Sequence, residues 1–141
     1  FYASIGTLLL GSIATVADAM VITEKERLDA FVEEVTRSGR GDRIARAMSF
    51  ADPNREPVAI AYDGDVVRFA DGQEVELESA LRAALSAFGE TDLEAVQEAI
   101  ELRGEDARVA LRVRTGAGLT DAQFELRRHE DRWLLRRVAV R

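Results

Sequence analysis

Apolar and polar positions divide the chain into stretches of different period. Residues 1–17, FYASIGTLLLGSIATVA, carry no charge, and after Asp18 the apolar run resumes through AMVIT to Thr23. Such a run, with one ionisable side chain, is close to the roughly 20 apolar residues that cross a bilayer core as a helix. At Thr23 the pattern changes. Thr23 and Glu26 have capping-box spacing, and Glu24 and Glu26 occupy a first turn whose dipole favours acids. Leu28, Phe31, Val32 and Val35 then recur at helical spacing, and Gly39 and Gly41 stop the run. A short helix is predicted over 42–49, capped by Asp42, with Ile44, Ala45 and Met48 facing in. Asp52-Pro53-Asn54 reads as a turn.

Strand signals follow. PVAIAY (57–62) and DVVRFA (65–70) flank Asp63-Gly64, a hairpin signal. A second Asp-Gly at 71–72 leads through QEVE into a helix over 77–88. That helix turns Leu77, Leu81, Ala84, Leu85 and Phe88 to one side and ends at Gly89. Residues 93–102 are helix-friendly in composition and stay ambiguous. Residues 107–115 alternate, with Val109, Leu111 and Val113 on one face and Arg108, Arg112 and Arg114 on the other. Gly116-Ala117-Gly118 is a loop. Ala122, Phe124 and Leu126 share a face of 121–128, His129-Glu130-Asp131 makes a tight turn, and 132–140 is the last strand. Helices first and a strand meander last predict an α+β domain over 24–141, with helices on one face of an antiparallel sheet.

The segment 1–23 admits three readings. Ala17-Asp18-Ala19 resembles a signal-peptidase site, and the run would also serve as a buried soluble helix. The reading adopted is a single membrane-anchor helix, which places the protein at a membrane with lipid as one partner. Ala3, Thr7, Gly11, Thr15 and Ala19 recur every four residues. Such a small-residue stripe lets two helices approach closely in lipid and implies other membrane protein subunits as partners. Asp18 sits near the end of the run, where a carboxylate reaches water. Lys25, Arg27, Arg37 and Arg40 follow it, a positive-inside signal that a long domain overrides, so the side of the membrane is left open.

Composition narrows the chemistry. The chain is 47% hydrophobic and 32% charged, an ordinary globular balance. It has no cysteine, which excludes disulfides and thiolate metal sites, and His129 as the sole histidine argues against a histidine metal site. No metal or cofactor is therefore expected. The net charge of −7 is unevenly spread: residues 1–102 balance at −11 and residues 103–141 at +4. A net acidic chain is a poor nucleic-acid ligand, and among the aromatics only Trp133 stands with the arginines, against single-strand stacking. The arginine-rich third predicts a basic face of Arg112, Arg114, Arg128 and Arg136, suited to anionic lipid headgroups or an acidic protein surface. The plainer reading pairs those arginines across strands with acids such as Glu98, Glu101 and Glu125. No phosphate loop or serine nucleophile elbow occurs. Asp63 and Asp52 read as turn residues, Tyr62 as a cap on the core and His129 as a solvated hairpin tip. No catalytic residue is nominated.

Four features in order carry a resemblance: GRGDRIARAMSF at the second helix, a hairpin running into DGQEVELESALRAAL, a strand region ending in GEDARVALRVRT, and FELRRHEDRWLLRRVAV. Over 24–141 the chain resembles the NTF2-like superfamily, which includes SnoaL-like cyclases and ketosteroid isomerases. Arg132-Trp133 matches the strand, turn, Trp and final strand of those proteins. The apolar helix running into VITEKERLDAFVEEV is similar to membrane-anchored bacterial members. The resemblance implies helices on a curved sheet around a cone. It carries no catalytic residues over, because nothing here matches the isomerase set of an Asp, a Tyr and a second acid. The expected function is a non-catalytic accessory or scaffold subunit of a membrane complex. A small-molecule binder or isomerase/cyclase-like enzyme using the cone is the alternative, and a homodimer pairing through its sheets is a third reading.

Overall fold

The computed structural model describes residues 24–36, 40–89, 93–116 and 118–141. The chain divides into two units, Phe1–Ala30 and Phe31–Arg141. Of the first, residues 24–30 are helical, with an Arg27–Glu24 pair at 3.5 Å one turn apart. The expected anchor over 1–23, with Ala3, Thr7, Gly11, Thr15 and Ala19, lies outside the described residues. Among those described, no helix is long and apolar enough to cross a membrane.

The second unit is α+β. It opens with helical residues 31–36 (α1), followed by α2 (Arg40–Ser49), a hairpin of β1 (Val58–Tyr62) and β2 (Asp65–Phe69), and α3 (Glu74–Ala84), which tightens into a 3₁₀ turn over Leu85–Phe88. Four longer strands complete it: β3 (Glu94–Arg103), β4 (Asp106–Thr115), β5 (Gly118–His129) and β6 (Arg132–Val140). They form one curved, open sheet in the order β2-β1-β6-β5-β4-β3. Neighbours are antiparallel except β1 and β6, which run parallel.

The β1–β2 hairpin forms as its residues dictate. Tyr62 pairs with Asp65 across Asp63-Gly64, at φ of 54° and 84°, a two-residue turn with both central residues left-handed, matching the twist of the strands. The predicted third helix turns Leu77, Leu81, Ala84, Leu85 and Phe88 inward, all buried, but it starts three residues earlier than expected, at Glu74. Its first turn is acidic, with Glu74 and Glu76, as the dipole favours.

One ambiguity is resolved and one expectation corrected. The open 93–102 segment is strand β3, because register with β4 from Glu94↔Arg114 to Arg103↔Asp106 satisfies its backbone. Tertiary pairing overrides a helix-friendly composition here. In α2 the inward face is Arg43, Ile44 and Ala47, while Ala45 is exposed. The rotation follows from Arg43, which is 1% exposed. Its Nε donates to the Val35 carbonyl (2.6 Å) near the end of α1, its Nη1 donates to the Gly89 carbonyl (2.7 Å), and its guanidinium stands 5.7 Å from the Phe88 ring centre. One cation thus ties three elements at the ends of helices, where carbonyls lack intrahelical donors.

The core lies between the helices and one face of the sheet. Val109, Leu111 and Val113 of β4, Ala122, Phe124 and Leu126 of β5, and Trp133, Leu135 and Val138 of β6 are buried against it. Phe31 packs edge-on against Phe50 and Phe124, with ring centres at 4.8 and 5.2 Å. Two substitutions test this packing. Arg43→Ala is expected to cost about 2–4 kcal/mol in urea unfolding, since it strands two carbonyls and opens a void. Gly64→Ala is expected to cost about 1 kcal/mol, because φ of 84° is strained for any L side chain.

Candidate interaction surface

The two sheet faces differ in chemistry. Among the described residues, the buried polar side chains on the helix-facing side have partners: Thr36 Oγ1 donates to the Val32 carbonyl at 2.8 Å, and Arg43 is held as above. Thr120, also buried, shares a 3.5 Å contact with Thr115. Asp63 is the turn residue and Asp52 shapes a turn, its carbonyl accepting from the Arg55 and Glu56 amides and its carboxylate 3.7 Å from Arg55. Tyr62, at the end of β1, is exposed.

The opposite face carries charge in ordered cross-strand rows. Strand alternation puts β4 arginines there, and register puts acids beside them. Arg112 faces Asp121 and donates to it through Nε (2.7 Å) and Nη2 (3.2 Å). That paired hydrogen bond holds the Asp121 carboxyl below its ordinary value and raises the Arg112 guanidinium above its own. Arg108 faces Glu125 at 3.4 Å, and Arg114 faces Glu94 at 3.9 Å. Of the four arginines expected to form a basic face, Arg112 and Arg114 stand in these rows. Arg136 sits at the irregularity between β5 and β6, 3.5 Å from Asp106 and 3.8 Å from Glu56. Arg128, two residues on from buried Leu126, shares its face and pairs with buried Trp133, on the helix-facing side of the sheet. The four therefore do not share one face, and those that do alternate with acids.

At the lower end of these rows lies a cluster that the sequence did not announce. Glu56, 8% exposed, precedes β1. His129 Nε2 donates to its carboxylate at 2.8 Å, and Arg136 and Arg127 approach at 3.8 and 4.0 Å. Arg127 also donates to Asp106 at 3.1 Å, which raises its guanidinium above the ordinary value. The reading of His129 as a solvated tip is thus corrected. β5 continues through His129, so the turn is Glu130-Asp131 with Glu130 at φ 59°, and the imidazole lies half-buried beside Glu56. No local signal marks Glu56, a lone acid before a proline. The backbone holds it there: the Leu135 amide donates to the Phe50 carbonyl at 2.6 Å, laying the 50–57 connection beside β6.

Two shallow grooves run over this face. One, of about 300 Å³, is lined by Glu101, Arg103, Asp106, Arg108, Glu125 and Arg136. The other, of about 480 Å³, has Ala99, Ala110 and Ala139 in its lining.

Helices against one face of an open six-stranded sheet, with the first hairpin joined in parallel to the last strand, define an NTF2-like fold, and solved structures agree. An NTF2-like protein of unknown function from Shewanella oneidensis superposes with TM-score 0.59 at 12% identity, covering 83% of this chain and 98% of that one. One from Pseudomonas putida gives 0.58 at 14%, covering 84% and 86%. A de novo designed protein with a curved β-sheet gives 0.57 at 13%, covering 83% and 97%. No protein-family profile and no curated protein matches the chain. At these identities the likeness concerns the fold.

Two outcomes are expected. Glu56→Gln should lower stability by about 1–3 kcal/mol, since it removes the charge facing two arginines and His129. A double-mutant cycle with His129→Gln should show the two coupled. Asp121 has a folded value below its ordinary 3.8. Its contribution is therefore complete above 3.8 and is lost as pH falls through the lower folded value. The stability difference between wild type and Asp121→Asn, read by urea unfolding across acid pH, should shrink toward the acid end.

Proposed function

We propose that the protein is a non-catalytic accessory or scaffold subunit of a membrane protein complex. In this reading residues 1–23 form a single anchor helix of the membrane-anchored bacterial type, and the NTF2-like domain makes the contacts. The observation that carries it is the division of labour between the sheet faces. The helix-facing side, where the enzymes of the resembling superfamily place their acid–base groups, is packed with Val109, Leu111, Phe124, Leu126 and Val138. Its buried Arg43 and Thr36 are held by main-chain carbonyls. The other side is broad and open, with charges ordered by strand register. Ordered polar side chains on a rigid sheet suit recognition of a protein surface, where electrostatic complementarity sets register and partner choice.

The test is a mild-detergent purification of the full chain from its native membranes, with mass spectrometry of co-purifying proteins. A stoichiometric set of membrane proteins is expected. A protein that emerges alone, and stays soluble after carbonate washing, would sink the accessory reading in favour of a small-molecule binder or isomerase/cyclase-like enzyme. Removing residues 1–22 is expected to release the protein from membranes, and Gly11→Leu to weaken assembly by obstructing the small-residue stripe.

A further inference from the structure

The ion pairs on the outer face leave some cations over. Arg103, Arg108, Arg112, Arg127 and Arg136 each have a carboxylate. Arg68, Arg137 and Arg141 close no ion pair within 4 Å among the described residues, although Arg137 stands opposite Glu125 and Arg141 beside Asp121, acids already engaged by Arg108 and Arg112; Arg132 is a fourth such arginine and stands apart, at the β5–β6 turn. Register brings the first three around one area. Ala59 pairs with Arg68 on one side and Arg137 on the other, so the two guanidinium-bearing positions are two strand spacings apart, about 10 Å. Arg141 follows Arg137 by four residues along β6, about 13 Å, and both line the larger groove.

The ground between them is low. Ala61 pairs with Ala139, Ala139 with Gln123, Gln123 with Ala110 and Ala110 with Ala99, one cross-strand row of mostly methyl groups. Along β6, Ala139 stands between Arg137 and Arg141 on the same face, flanked by Ala61 and Gln123, so an extended chain running beside β6 crosses a low point between the two cations.

We propose that this cationic rim and the groove of about 480 Å³ beside it bind an extended acidic segment of a partner protein. The inference rests on the reading of the domain as an interaction module and names the chemistry of its partner. Two carboxylates four residues apart on an extended chain point the same way and are about 13 Å apart, which matches Arg137 and Arg141. Each guanidinium offers a carboxylate two parallel N–H donors. A membrane surface fits less well. A flat anionic bilayer would cover Glu98, Glu101, Asp121 and Glu125 at once, whereas a single extended chain beside β6 meets only Asp121 and Glu125, both already engaged by arginines of β4.

The test uses the full chain in detergent and a fluorescein-labelled Gly-Ser peptide bearing two glutamates four residues apart, read by anisotropy at low salt. Saturable binding is expected, weakened about tenfold or more in the Arg68→Gln/Arg137→Gln protein and by Ala139→Trp, which fills the row. Arg103→Gln, outside the rim, should leave it unchanged, and a peptide with glutamines in place of glutamates should not bind. Circular dichroism and Trp133 fluorescence confirm that each variant is folded. Absence of binding, or equal weakening by Arg103→Gln, would overturn the site. So would displacement by soluble glycerophosphoserine that matches displacement by unlabelled peptide, an outcome that would point to lipid headgroups. If the double variant retains its co-purifying proteins, the site fails and the accessory reading stands. If the wild type binds the peptide yet purifies alone, the accessory reading fails instead.

Discussion

The parallel pairing of β1 with β6 is the contact on which the rest of this domain depends. Ala59 to Tyr62 align with Arg137 to Val140, so the strand just after the helices is joined to the last strand of the chain. Everything between must fold back before that pairing can form, and the entropy of closing such a long loop has to be met first. The pairing carries β2 and α3 along with β1. It also holds the 50–57 connection against β6, through the Leu135–Phe50 hydrogen bond. Without it, Glu56 would have no route to Arg136 and His129, and Arg68 would not share a row with Arg137.

That geometry explains why the two sheet faces diverged chemically. In β4 and β5 alternation alone separates Val109, Leu111 and Phe124 from Arg108, Arg112 and Asp121. The apolar side is covered by helices, whose ends the buried cation of Arg43 secures. The charged side is left open, and register rather than local sequence decides which arginine meets which acid. Most of these pairs are exposed and contribute little stability each, since screening and side-chain entropy offset the attraction. Their larger consequence is to fix the position of charge across a rigid surface.

The Glu56 cluster differs from those rows. A carboxylate that is mostly out of water requires compensation, and three basic side chains from β5 and β6 supply it. It joins the connection before β1 to the β5–β6 hairpin by charge, on the face opposite the buried Leu126 and Trp133.

Much of this was legible from the chain alone. Asp63-Gly64 declared its hairpin, because few sequences tolerate two left-handed residues in a row. Leu77, Leu81, Ala84, Leu85 and Phe88 declared the buried stripe of α3, and the alternation of Val109, Leu111 and Val113 with arginines declared both faces of β4. These are local signals, set by backbone sterics and by the periods of helix and strand. What needed tertiary structure was every feature that depends on a distant partner. The segment 94–103 is a strand because β4 offers it hydrogen bonds, against its own propensity. Arg43 is inside because carbonyls of Val35 and Gly89 converge on it, and His129 is held because Glu56 arrives from the other end of the domain. Arg112 and Arg137 look alike in sequence and each stands across the sheet from an acid, Asp121 and Glu125, yet it is Arg112 that closes an ion pair with its own while Glu125 turns to Arg108. A residue's type and period are written beside it in the chain, but its partner is chosen only when strands far apart in sequence are brought into register.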